Sequence, residues 1–179
     1  MSTDKTPPFS HKKYASSVDL EKLGELGAEY SEAGKTYKLV KLHTVCTGLT
    51  ADVITAGEVL YRTATDGVVT NDRSEAISDS ADHYCGIAPS DLSSTVPEST
   101  SSTEYYMLMQ VGGDHSAVVT NGDDDITAGL QIIASGDGTC DSAAAATDIR
   151  PNFIGHAIAA DVDAANTVAV RMRYIGSGG

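Results

Sequence analysis

Two stretches decide how this chain is read: "ADVITAGEVL", Ala51–Leu60, and "DDDITAGLQI", Asp123–Ile132. The four letters ITAG stand in both, Ile54–Gly57 and Ile126–Gly129, at an offset of 72 (126 minus 54). Polar residues precede each copy and an apolar run, "EVLYR" or "LQIIA", follows each. That context predicts a turn in which Gly57 and Gly129 take positive φ and swing the chain into a new strand.

The echo continues in the same order along the chain. Asp66-Gly67 returns as Asp137-Gly138, Gly86-x-Ala88 as Gly155-x-Ala157, Asp91 as Asp161 and His43 as His115. The first two dipeptides read as reversal turns. Gly86 and Gly155 lie inside short apolar runs and predict a bulge or a close backbone approach. Each half closes on a candidate strand. In "TVAVRMRYI", Val168, Val170, Met172 and Tyr174 alternate with Ala169, Arg171 and Arg173, apolar in and basic out. In "EYYMLMQV" both faces are largely apolar, which predicts a central strand or a subunit contact. We read an internal duplication of two similar β-units, packed as an all-β barrel or sandwich.

The remaining segments are placed around that frame. Residues 1–16 read as a flexible N-terminal arm, either a disordered tail or an arm that orders on a neighbouring subunit, since Pro7 and Pro8 fit neither a helix interior nor a central strand. Residues 17–36 read as a short helical turn or hairpin leading into the core. The hairpin would run from "ELGAEY" through "SEAGK" into "TYKLVKL". The first β-unit spans 37–111 and the second 112–179, which ends in a flexible Gly/Ser tail. "SSTVPESTSST", 93–103, reads as a mobile surface loop.

Composition limits function. With 12 basic and 25 acidic residues the formal net charge is −13, which repels phosphate and argues against nucleic acid and anionic membrane partners. No apolar run approaches the ~18 residues of a membrane-spanning helix. The first residues lack an apolar signal core, so a cytoplasmically made, soluble protein is expected. Cys46, Cys85 and Cys140 are odd in number and follow no metal spacing, so free thiols are expected.

No site of chemistry is predicted: no catalytic, cofactor-binding or metal residue is assigned, and no cofactor. His11, His43, His83, His115 and His156 match no zinc pattern. His83 and Cys85 lie close together, but nucleophilic catalysis would need them oriented on a site, and a catalytic thiol is not assigned. The acidic turns "NGDDD" and "GDGTCDS" lack the order of an EF-hand loop. A small metal-dependent hydrolase would rest on His115 with Asp114 and Asp123 alone.

The features "GKTYKLVKL" (34–42), "ITAGEVLYRTATDGVVTND" (54–72), "CGIA" (85–88), "DITAGLQIIASGDG" (125–138) and "IGHAIAADVDAANTVAVRMRY" (154–174) resemble the head decoration, or cement, proteins of tailed bacteriophages. The resemblance covers about residues 34–175. It implies a barrel-like β fold and a non-catalytic role: a homotrimer on the outer surface of a virion, bridging major capsid protein subunits. The alternative is a glycan-binding or adhesive β-module, such as a phage fibre component, stacking sugars on exposed Tyr105 and Tyr106.

Overall fold

The computed structural model describes residues 7–16, 24–77, 84–122, 126–143, 152–161 and 166–174. The all-β expectation holds: strands dominate, with a closed five-stranded barrel and further strands around it. The strands are β1 (Tyr14–Ser16), β2 (Glu29–Glu32), β3 (Lys35–Leu42), β4 (Val53–Ile54), β5 (Val59–Arg62), β6 (Val68–Thr70), β7 (Tyr84–Ile87), β8 (Val96–Pro97), β9 (Tyr105–Val119), β10 (Gln131–Gly136), β11 (Thr139–Ser142), β12 (Phe153–Ala157) and β13 (Thr167–Met172). Among the described residues, a 3₁₀ turn, Arg73–Glu75, is capped by Asp72.

The closed barrel runs β3–β6–β5–β7–β9 and back to β3. Only β3–β6 is parallel; the other four pairings are antiparallel. The C-terminal half repeats this order. β9 pairs with β13, β13 with β12, β12 with β10 and β10 with β11, all antiparallel. A single parallel bridge, Thr120 to Cys140, returns β11 to the end of β9. Strand β9 serves both rings, so the division between them falls inside a strand. One continuous 15-residue backbone ladder therefore couples the two.

The turns repeat atom for atom. Thr55 O accepts from Glu58 N at 3.4 Å, and Thr127 O accepts from Leu130 N at 3.2 Å. Gly57 (φ 82°) and Gly129 (φ 90°) hold the left-handed position such a turn needs. Gly57 N donates to Ala88 O and Gly129 N to Ala157 O, while Ala88 N and Ala157 N return to Glu58 O and Leu130 O. The glycines inside strands are sites of close approach: a Cβ on Gly86 would lie 2.8 Å from Gln110 O, and one on Gly155 only 2.0 Å from Arg171 O.

One matched pair of residues is corrected. His43 and His115 are not equivalent. His43 N donates to Val69 O just past β3, and Asn121 N donates to Cys140 O just past β9. Leu42 pairs with Val69 as Thr120 does with Cys140, an offset of 78 (120 minus 42). Since ITAG recurs at 72, the first ring has six more residues between its opening strand and its ITAG turn. The added length goes into a flap at 43–50.

Apolar burial follows the alternation. Val40, Leu42, Leu60, Met107, Met109 and Val111 fill the first barrel. Val168, Val170 and Met172 form the core of the second ring, with Ile132, Ile154 and Cys140. Val59, Tyr61, Tyr84 and Ile87 face outward from the first barrel, yet join that second core. The run "VLYR" is apolar on both faces because it is packed on both faces. Tyr174, expected on the apolar face, is 54% exposed. It lies beyond the last β13 pairing, and its hydroxyl donates to Glu29 at 2.7 Å.

Two further expectations are corrected. The described part of the expected arm, 7–16, lies on its own chain instead. β1 pairs with β9, Phe9 packs with Tyr30, Tyr37 and Leu108, and the His11 ring stacks on Tyr37 at 4.7 Å. An amphipathic segment finds apolar cover on the outer face of the barrel. The 93–103 segment is likewise anchored: Val96 is fully buried and pairs with Ile54, and Ser99 is 2% exposed. The hairpin forms as read, with Ala33 (φ 50°) and Gly34 (φ 78°) as its two-residue turn. Of the segment expected to hold a short helical turn, residues 17–23 lie outside the described residues, as does the Gly/Ser tail.

Candidate functional site

The most concentrated polar chemistry is a buried carboxylate beneath the flap. Glu58 follows Gly57 in the ITAG turn and is wholly buried. Its Oε1 accepts from Leu49 N at 2.7 Å. Its Oε2 accepts from Thr55 N at 2.6 Å and from Asn71 Nδ2 at 3.0 Å. Burial pushes the carboxyl above its usual range, against the pull of those donors. The centre is sealed: a Cβ on Gly48 would lie 2.3 Å from Oε1, and one on Gly138 2.9 Å from it.

Two more carboxylates hold the same flap. Thr47 Oγ1 donates to Asp72 Oδ2 at 2.6 Å, and Cys46 N donates to Glu98 Oε2 at 3.1 Å. Asp72 is also bonded by Ser74 N and Oγ, both at 2.7 Å. Burial raises its carboxyl, but these hydrogen bonds outweigh it and hold the group below the ordinary value. Three acids from three places in the sequence thus fasten one loop. Each accepts from at least one donor of the flap, so the cluster works as a clamp.

The other reactive side chains are also absorbed. His115 is fully buried, its Nε2 donating to Ala88 O at 3.0 Å while Nδ1 accepts from Ala117 N at 3.3 Å. Only the neutral ring can make both bonds, and desolvation pushes its pKa down to about 4. Neighbouring Asp114 points the other way, pairing with exposed Arg171. Strand β9 therefore separates the two groups that a metal site would need together. Asp123 to Asp125 and His83 lie outside the described residues.

Cys46, Cys85 and Cys140 are free. Burial lifts the Cys46 thiol to about 12 and raises Cys140 as well, which suppresses the nucleophilic thiolate. The tyrosines expected to stack on sugars are not presented. Tyr106 is 7% exposed, and its hydroxyl donates to Glu104 at 2.5 Å. Tyr105 packs edge-on against Tyr14 from β1. The strap of residues 7–16 covers this end of β9.

Sequence reasoning missed Glu58, because one acid beside a turn carries no signal of burial. The available clue was the extra length between β3 and ITAG in the first copy. It was hidden by the letter match of His43 with His115. Leu26, Leu49, Leu130, Ile158 and Tyr174 are the exposed large hydrophobics among the described residues. No protein-family model, curated protein or solved structure matches this chain.

Proposed function

We propose that this chain is a structural protein of a virion, a head-decoration protein that binds the outer surface of a phage capsid. It would bridge major capsid protein subunits and stabilise the shell by added contact area, without catalysis. The observation that carries the reading is the fate of the polar side chains. Glu58, Asp72, Glu98 and His115 are bonded to loops and seams of the fold itself. The molecule spends this buried chemistry on fastening its own flap and the seam beside His115, which favours a stiff block. Such a block suits a load-bearing cover, because a stiff body loses little conformational entropy when it docks.

The acidic surface fits the same role. A net charge of −13 keeps an outer layer soluble and away from nucleic acid. Repetition over a symmetric shell would multiply modest contacts into firm attachment. The glycan-binding alternative loses its support, since Tyr105 and Tyr106 are engaged within the fold.

The test is co-sedimentation of purified protein with undecorated capsids, followed by heating of the decorated shells. Stoichiometric binding and a higher temperature of shell rupture are expected. Protein left in the supernatant with capsids of the matching phage would overturn the reading.

A further inference from the structure

Four asparagines stand in the chain, and Asn121 alone is followed by glycine. Asn71 is wholly buried, its Nδ2 bonded to Val53 O and to Glu58. Asn121 and Gly122, by contrast, are both exposed, just past the end of β9. Gly122 holds φ 85°, and a Cβ built on it would meet nothing within 4 Å. Among the described residues, no backbone carbonyl accepts from Gly122 N. The nitrogen that follows Asn121 is therefore uncommitted, and no side chain on its own residue shields it. One bond restrains the amide it would attack: Asn121 Nδ2 donates to Asp141 Oδ2 at 3.1 Å. That bond is exposed, so water competes for both partners.

We propose that Asn121-Gly122 is a site of spontaneous deamidation, and that the conversion loosens the closure of the second ring. The reaction needs only water. Gly122 N attacks Cγ of Asn121 and gives up its proton. The side-chain nitrogen leaves as ammonia, and a five-membered succinimide remains. Water opens that ring at one carbonyl or the other, which yields aspartate or isoaspartate. The position gives the change a consequence. Asn121 N donates to Cys140 O at 3.1 Å, one residue past the Thr120–Cys140 bridge that returns β11 to β9. A carboxylate at 121 has no proton to donate, so the bond to Asp141 becomes a contact of like charges. Isoaspartate also routes the main chain through the side-chain carbon, which lengthens it where the ring closes.

The test is to age the full chain for days in mildly alkaline buffer, which favours the attacking nitrogen, and to locate the change by peptide mass mapping. A mass gain of one unit at Asn121 is expected, with isoaspartate among the products and Asn71 unchanged. Ion exchange should show a more acidic fraction, its net charge moved from −13 to −14 (−13 minus 1). The same chain unfolded in urea sets the rate without structure. Asn121 left intact in the folded protein after the unfolded control has converted would overturn the proposal. Amide exchange reads the consequence. Thr120 N, which donates to Asn166 O, and Asn121 N should exchange about fivefold faster in the aged protein, the effect of losing one hydrogen bond. Asn121→Asp should reproduce part of that rise without ageing. Asn121→Gln keeps the amide but closes the small ring far less readily, so it should age without change. Converted protein with unaltered exchange at both amides would overturn the loosening, and a rise of equal size in aged Asn121→Gln would assign it to another residue.

Discussion

Glu58 and Leu130 occupy equivalent positions in the two rings, each directly after the glycine of an ITAG turn. The acid is wholly buried and the leucine is 37% exposed, the reverse of what their hydrophobicity dictates. The difference comes from their surroundings. In the first ring, six extra residues fold over the turn and supply Leu49 N, while Thr55 N and Asn71 complete the ligation of the carboxylate. Among the described residues, the second ring has no such flap and no third ring beside it. Duplication copies a backbone, and what covers that backbone sets the chemistry each position can hold.

The comparison can be broken most strongly at the glycines. Gly57→Ala adds a Cβ 2.2 Å from a backbone carbonyl at a positive φ. We expect a loss of about 4 kcal/mol, the sum of overpacking and left-handed strain. Gly129→Ala meets open space at φ 90° and should cost only about 1 kcal/mol. Urea denaturation of the two variants measures the gap; equal losses would mean the rings are not differently covered.

Exchanging the next residue tests the flap. Glu58→Leu strands Leu49 N and Thr55 N in a dry site, and should cost about 3 kcal/mol, since each orphaned buried donor costs about 1–3 kcal/mol. Amide exchange at Leu49 should rise in that variant while exchange at Val168 and Val170 stays slow. A flap that remains protected would show that the carboxylate is not its clamp.

The seam should titrate. The folded pKa of His115 is depressed to about 4 from an ordinary 6.5, so the native state holds the ring neutral while the unfolded chain takes up a proton. Its contribution is present above pH 6.5 and is lost as pH falls toward 4. The full swing is about 3 kcal/mol at most, at about 1.4 kcal/mol per pH unit. Glu58 acts in the opposite sense. Its raised pKa means that acid relieves a buried charge, a gain that is lost as pH rises through its folded value. Urea midpoints measured from pH 7 to pH 4 should fall more gently in His115→Gln than in the wild type. Identical slopes would remove His115 from the seam.

The smallest effect is expected from Leu130→Glu, which places the acid of the first ring on the bare turn of the second. Monomer stability should change by no more than about 0.5 kcal/mol, as for other exposed positions. A loss as large as that of Glu58→Leu would mean the second turn is covered within the monomer.

Much of this architecture was legible in the letters. ITAG, the Asp-Gly pairs and the Gly-x-Ala pairs mark places where only a small side chain or a positive φ is tolerated. Such local requirements are written in residue identity. The alternation in β13 and the two apolar faces of β9 were readable for a similar reason: side chains alternate with a period of two on any strand. The pairing of His43 with His115 misled, because a shared letter is weak evidence of register when an insertion lies between anchors. Loop 93–103 and residues 7–16 look polar enough to float, but a few side chains such as Val96 and Phe9 anchor them.

By itself, then, the sequence determined the strands, the turns and the fact of repetition, since each depends on neighbours within a few residues along the chain. The tertiary structure alone decided which copy of each turn is covered, where Glu58 and His115 are desolvated, and which face is left bare. Burial depends on segments far apart in sequence meeting in space, and no local pattern of residues encodes that meeting.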